Sequence, residues 1–335
     1  MLVTHFHRRT PLKFQSIYAY FEDVRRRLDN EVEFNVIECP EYSRGILTCS
    51  RNLRFALRYK NGINHVTGDV HYLMLGLPPD SSVLTIHDCV FMDNPSFLRR
   101  RILKTIWLDL PVRRAKYITA VSEATKLHVM QLTGCASTKI EVINTTVKDH
   151  FVPISKEFNL QRPVILQIGT APNKNWLRII ESLRGISCHL LIVGEIGEAY
   201  RSALNSSGTE FSNRSNLSDS EMLQCYAESD MLLFPSLREG FGMPIVEANM
   251  VGRPVVTSNI SSMPEVAGDA ACLVDPYSTA SIRRGVERVI ESEGYRRQLV
   301  MAGFKNSKRF SPATVAMQYK CLYERIAAAK GARLS

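Results

Sequence analysis

Phe234-Pro-Ser-Leu-Arg-Glu239-Gly-Phe-Gly242-Met-Pro244-Ile-Val-Glu247-Ala begins as an apolar strand, passes through a loop holding Gly240 and Gly242, and enters a helix. The first turn of that helix contains Pro244, a residue suited to a helix start. Strand, glycine loop and helix N-terminus, in that order, form an anion site. The glycines let the backbone approach a ligand closely, and the unpaired N–H groups of the first turn, with the helix dipole, favour a group such as a pyrophosphate. Glu239 and Glu247 flank this site. Carboxylates repel phosphate, so their natural partners are hydroxyls: an ionised carboxylate only accepts hydrogen bonds and can take two O–H donors. A ligand with phosphate in the middle and polyols at both ends is a nucleotide sugar.

Outward from this stretch, short runs of Val, Ile and Leu alternate with longer segments of helical period, as in parallel strands joined by crossover helices. In the second half, strands are expected at 164–168, 189–193, 230–234, 254–257 and 271–274, with helices between them and a last helix from Ala313. In the first half they are expected near Leu2–His5, Glu33–Ile37, Ile63–Val66, Val83–Ile86, Tyr117–Ala120 and Ile140–Ile143. Helices are expected near Phe14–Leu28, Pro95–Leu110 and Ser122–Leu132, with Ser122 as an N-cap. The alternation stops around Asp149–Arg162, between Pro153 and Pro163. The expected organisation is therefore α/β, with two Rossmann-like domains, residues 1–155 and 156–312, facing across a cleft. Residues 313–335 are expected to form a helix that packs back toward the N-terminal domain. Ligands of open α/β sheets gather at the carboxyl ends of the strands.

Composition narrows the partners. The chain has 335 residues, 45% of them apolar, which suits two domains and excludes disorder. Its eight cysteines form no CxxC pair, so zinc knuckles are excluded and reduced thiols of a cytoplasmic protein are expected. No stretch resembles a secretory signal or a membrane span. The net charge is +9, and residues 1–150 carry most of the excess, with 21 Lys/Arg against 15 Asp/Glu. Much of it lies on one amphipathic helix. Leu98, Ile102, Leu103, Ile106, Trp107 and Leu110 recur at helical spacing, and their apolar face is expected in the core. Arg99, Arg100, Arg101 and Lys104 occupy other faces. That basic face suits an anionic membrane surface. Nucleic acid is not expected, because no binding motif appears and aromatics are not interleaved with the basic residues.

With seven residues between Glu239 and Glu247, the stretch resembles the E-x7-E motif of the family-4 retaining glycosyltransferases of the GT-B fold, the glycosyl transferases group 1. The likeness continues through Gly252-Arg-Pro-Val-Val-Thr-Ser-Asn, Met263-Pro-Glu-Val-Ala-Gly-Asp, Gly169 with Asn173-Lys174-Asn175, Thr85-Ile-His87-Asp88 and Ala120-Val-Ser-Glu123. The resemblance implies that Glu239 and the backbone after it hold the donor sugar and Glu247 the ribose. It also implies that Lys174 neutralises the pyrophosphate and that His87 reaches the transferred sugar. The expected catalytic residues are thus Glu239, His87 and Lys174. The expected donor site is Gly169, Thr170, Asn173, Lys174, Arg238, Glu239, Gly240, Phe241, Gly242, Met243, Pro244, Ile245 and Glu247. The implied activity is retaining transfer of a sugar, with a lean to mannose from GDP-mannose, to a saccharide or lipid-linked saccharide of a surface glycoconjugate. The implied place is the cytoplasm, peripheral on the inner face of the plasma membrane.

Neither a metal nor a cofactor is expected, since no two aspartates form a D-x-D pair. The sequence departs from the commonest family pattern at Thr170 and Asn173, where relatives often carry Arg. Arg238 is a candidate to compensate. The same departure motivates a second reading, a catalytically silent nucleotide-sugar-binding subunit that supports a partner transferase. His65 and His71 bracket Thr67-Gly68-Asp69, a second candidate loop. His5 and His7 alternate on one face of the first strand and, with no Cys or third ligand nearby, read as core residues. The glycine-rich loop that many relatives carry after that strand is replaced by Arg8-Arg9-Thr-Pro-Leu-Lys13.

Overall fold

The computed structural model describes residues 1–9, 16–93 and 96–331. The expected helix starts at Phe14 and Pro95, and the stretch from Thr10 to Lys13, lie outside them. The first part of the chain runs β1 (Leu2–His7), α1 (Ser16–Leu28), β2 (Glu33–Glu38), α2 (Ile46–Tyr59), β3 (Ile63–Val66), β4 (Ser82–Ile86), α3 (Phe97–Leu103), α4 (Leu110–Arg114), β5 (Tyr117–Ala120), α5 (Glu123–Thr133) and β6 (Ile140–Val142). It continues with β7 (Val164–Ile168), α6 (Trp176–Leu183), β8 (His189–Val193), α7 (Glu198–Ser207), β9 (Glu210–Arg214), α8 (Asp219–Glu228) and β10 (Met231–Phe234). The last elements are α9 (Met243–Val251), β11 (Val255–Ser258), α10 (Met263–Ala267), β12 (Cys272–Val274), α11 (Thr279–Glu291), α12 (Glu293–Ser307) and α13 (Pro312–Gly331).

The strands form two six-stranded parallel sheets, ordered β2-β1-β3-β4-β5-β6 and β12-β11-β10-β7-β8-β9. Helices cover both faces of such sheets, so the central strands are buried along most of their length. Every residue of β4 and β10 is buried.

The chain divides into two compact units. The first comprises Met1–Thr146 with Pro312–Ser335, and the second Val147–Ser311. The division falls earlier than the expected 155/156 boundary because the connecting segment is tied to the second unit. Ile154 N–H donates to Val251 O at 3.2 Å, and Arg253 Nη1 donates to Ile154 O at 2.9 Å. The carboxylate of buried Asp230 accepts from Lys156, from Asn159 N at 3.1 Å and from Val164 N at 2.7 Å.

In the first unit α13 completes the core: Val315, Tyr319, Leu322, Tyr323 and Ile326 pack with Phe21, Val24 and Leu28 of α1. This core holds a chain of polar groups whose direction can be derived. The Arg25 guanidinium has no acceptor atom, so His5 Nδ1 (3.3 Å) and His7 Nε2 (3.1 Å) must accept from it. His5 Nε2 therefore carries a proton and donates to Tyr323 Oη at 3.0 Å, and Tyr323 donates onward to His65 Nδ1 at 2.6 Å. His65 Nε2–H donates to Thr85 Oγ1 at 2.7 Å, which passes its own proton toward Thr119 Oγ1 at 2.6 Å. Burial, reinforced by the neighbouring positive and imidazole groups, holds His5 and His65 well below the usual histidine range and brings His7 down to about 3. His5 and His7 are thus neutral core residues with every ring nitrogen bonded.

The amphipathic helix differs from expectation. No residue of α3 is buried, with Phe97 68%, Leu98 66% and Ile102 46% exposed, and Leu110 is 40% exposed. The apolar face enters the core only further along, where a π-helical stretch, Lys104–Asp109, buries Leu108 and partly buries Ile106 and Trp107. The extra residue per turn rotates the stripe, so α3 itself is left without a covered face.

Candidate active site

In the second unit the loops after β7 and β10 are stapled together. Leu237 N–H donates to Asn173 O at 2.8 Å, and Asn173 Nδ2 donates to Arg238 O at 3.0 Å. Asn175, in the left-handed region at φ 62°, donates through Nδ2 to Pro235 O at 3.0 Å and Pro276 O at 2.7 Å. The side-chain amide of Asn173 is therefore a loop brace, a role an Arg at this position could not fill in the same way.

Lys174 lies over Gly169. A Cβ built on Gly169 would sit 2.8 Å from Lys174 Cε, and its φ of +86° further favours glycine, so the absent side chain makes the bed for the lysine. Lys174 Nζ is 2.6 Å from Glu239 Oε1 and 4.8 Å from the centroid of the Phe234 ring. The glutamate and the expected phosphate cation are thus partners in one ion pair. Thr170, the other departure from the family pattern, packs against Gly194 at the end of β8, where a Cβ would lie 3.0 Å from its Cγ2.

The backbone around Glu239 is fixed from the loop after β11. Ser261 Oγ accepts from Glu239 N at 3.2 Å and donates to Glu239 O at 3.0 Å, while Ser262 Oγ donates to Phe241 O at 2.7 Å. Gly242 then caps α9 with φ 106°, and Met243 and Pro244 open the helix. Ile245 N–H folds back to Gly242 O at 3.0 Å. Ile245 and Phe241 are buried, whereas Arg238, Glu239 and Gly240 remain partly exposed. A glycine N-cap and the positive end of the α9 dipole thus follow three residues after Glu239.

Glu247, one to two turns into α9, is not an ordinary solvated helix residue. Tyr226 Oη donates to its Oε2 at 2.6 Å, and the surrounding protein pushes the carboxyl up to about 7, mainly through burial. Sequence reasoning missed Tyr226 and the Ser261–Ser262 pair, and it named Asn175 as part of a motif without its bracing role. Only the position of Tyr226 in the helix before β10 hints at its role.

The structure brings together Gly169, Thr170, Asn173, Lys174 and the 238–247 segment within the second unit. His87 belongs to the first unit, after β4. Its Nε2 lies 2.8 Å from Thr67 O, and a carbonyl can only accept, so Nε2 carries the proton and Nδ1 holds the lone pair. Burial lowers its pKa, which keeps the ring neutral. His71 donates through Nδ1 to Trp107 O at 2.7 Å. His65 is consumed in the core chain, so the loop between these two histidines carries His71 alone as a candidate. A separate cavity of about 860 Å³ in the second unit is lined by Ile154, Phe158, Arg253, Arg296 and Met301, and by none of the expected site residues.

Comparisons with known proteins point the same way. Residues 151–306 match the family model described as Glycosyl transferases group 1. The serotype-specific mannosyltransferase WbdA of Escherichia coli is 26% identical over 71% of this chain and 32% of its own length. The chain thus spans about a third of the length of that relative. The O-antigen chain mannosyltransferase B of Escherichia coli is 27% identical, over 78% of this chain and 74% of its own. Among solved structures, sucrose-phosphate synthase from Thermosynechococcus elongatus matches with a TM-score of 0.80 at 13% identity, covering 98% of this chain and 99% of that one. With its two parallel six-stranded sheets, the chain has the GT-B fold, and its residues 151–306 are similar to the glycosyl transferases group 1.

Proposed function

We propose that the chain transfers a mannosyl group from GDP-mannose, with retention at the anomeric carbon, to a saccharide or lipid-linked saccharide during surface-polysaccharide synthesis. The observation that carries this reading is the Lys174–Glu239 pair at the mouth of the α9 N-terminus, with Glu247 farther along the same helix. It supplies a cation and a dipole for a diphosphate, and a carboxylate on either side for hydroxyls. The mannosyltransferase names of the two relatives support the sugar. The second unit would hold the donor and the first the acceptor, with His87 offering its Nδ1 lone pair to a sugar hydroxyl. In the step itself the bond between C1 and the phosphate oxygen breaks with its electron pair going to the diphosphate. The acceptor oxygen bonds C1 on the same face, and its proton passes to the departing phosphate. Charge neutralisation by Lys174 and α9 makes a metal unnecessary in this scheme.

The test is direct. Purified protein should release mannose from GDP-mannose and should be stabilised more by GDP than by UDP in thermal melts, since a ligand raises stability by RT ln(1 + [L]/Kd). The use of Asn173 as a loop brace keeps the silent-subunit reading in view. Absence of sugar release from any donor, with nucleotide binding intact, would select it.

The exposed α3 extends the proposal to a place. Phe97, Leu98 and Ile102 project from the same short helix as Arg99, Arg100 and Arg101, all outside the core. Apolar side chains beside arginines suit the headgroup region of an anionic membrane. Among the described residues no helix is long and apolar enough to cross a membrane, so the proposed association is peripheral. Changing the three arginines to Glu should weaken binding to phosphatidylglycerol-containing vesicles by about a hundredfold or more, at about 1 kcal/mol per basic residue. Binding that ignores both this change and salt would remove the arginines from the proposal, and no binding at all would remove the membrane.

A further inference from the structure

We propose that Tyr226, on α8, is the positioning residue for Glu247: its hydroxyl ties down one carboxylate oxygen so that the other meets the ribose hydroxyls of the donor. The inference rests on the reading of Glu247 as the ribose ligand and extends it to a residue outside the glycine loop and α9.

Tyr226 is fully buried, and its oxygen lies 2.6 Å from Glu247 Oε2 and 3.4 Å from Pro244 O. A phenol has a single proton. Above about pH 7, where Glu247 is ionised, the shorter, charge-assisted contact takes it, so Tyr226 donates to the carboxylate. Burial first, then the Glu247 charge, hold the phenol well above its ordinary range, so the proton stays on the tyrosine. The other charges near Glu247 are Lys148 and Asp219, and these are paired with each other at 2.5 Å. Neither competes for the carboxylate at hydrogen-bond range.

The tyrosine is itself held on three sides. Its ring meets Phe151 edge to face, with centroids 5.6 Å apart. Its carbonyl accepts from Arg253 Nε at 2.9 Å, and that of Ala227 accepts from Arg253 Nη2 at 3.1 Å, which fixes the end of α8. Its start is fixed by a capping box between Ser218 and Glu221. A glutamate on a flexible arm loses rotamer freedom when it binds a ligand. A tether from a rigid helix removes that loss beforehand and orients the remaining oxygen.

Tyr226→Phe keeps the ring and deletes only the tether. The measurement is calorimetric binding of GDP and of 2′,3′-dideoxy-GDP to the full chain, with UDP and its dideoxy form in parallel, beside donor KM and kcat. The variant should bind the ribonucleotide about tenfold more weakly and the dideoxynucleotide within about twofold of the original. Donor KM should rise with kcat changed by less than about threefold. Equal losses for both nucleotides, or no loss for either, would overturn the proposal, because a purely structural tyrosine does not sense the ribose hydroxyls. Glu247→Gln separates the two levels. If it abolishes the preference for ribose while Tyr226→Phe retains it, Glu247 stands and Tyr226 falls. If the unaltered protein shows no preference for ribose, the reading of Glu247 falls and takes the inference with it.

Discussion

Glu239→Ala is expected to lower sugar transfer by about 10³ or more while leaving nucleoside diphosphate binding intact or slightly tighter. The asymmetry follows from the ion pair. Glu239 Oε1 holds Lys174 Nζ at 2.6 Å, so the lysine reaches a pyrophosphate only by giving up or sharing that contact. Removing the carboxylate frees the cation for phosphate and leaves the donor sugar without its acceptor. The loop should survive, since Ser261, Ser262 and Asn173 hold its main chain rather than its side chain. Removing one group aimed at transition-state charge typically costs 10² to 10³ in kcat, and a residue that also orients the sugar costs more. Initial rates with the donor and calorimetry with GDP give the two readouts. Retained transfer, or loss of GDP binding in step with activity, would remove Glu239 from the sugar subsite.

Lys174→Ala is expected to cut kcat by roughly 10² to 10³ and to weaken GDP binding as well. Two effects add. The leaving diphosphate loses its cation, and Glu239 is left uncompensated beside it, so repulsion replaces attraction. In the proposed scheme added Mg²⁺ does not restore the rate, because the deficit is a cation fixed over Gly169 rather than charge in general. Recovery with Mg²⁺ would show that the diphosphate recruits a metal after all. The contact to Gly169 places the lysine stem on backbone, so the substitution leaves no cavity in the core.

The parts of the fold that the sequence shows clearly are those where burial dictates residue type. The strands β4, β7, β8 and β10 are mostly apolar, with Ser82, Thr85, Gln167 and His189 as the exceptions, because helices cover both faces, and their expected positions agree with the structure to within a residue or so. Strand β9, Glu210-Phe-Ser-Asn-Arg214, has no such pattern. It pairs only with β8 at the sheet edge and none of its residues is buried, so no hydrophobic run announces it. On α3 the period was visible but not the burial, since helical spacing says which residues share a face and not whether anything covers it. The site divides in the same way. Its glycine loop and helix start are local and legible, and Lys174 was found from a motif. The Lys174–Glu239 pair joins residues 65 positions apart, and the Tyr226–Glu247 tether joins different helices, so only the folded chain displays them.

Helix α13 sets an order of events for a chain emerging from the ribosome. The second unit, Val147–Ser311, is complete before the tyrosines of α13 exist, although the first unit was begun earlier. Until Tyr319 and Tyr323 arrive, one flank of the first core lies open, and His5 and His65 have no phenol between them. Domains usually mature from the N-terminus onward during synthesis. Here the unit started first is the last to close, and a chain released after residue 311 would carry every residue of the second unit while its first unit still exposed its apolar interior.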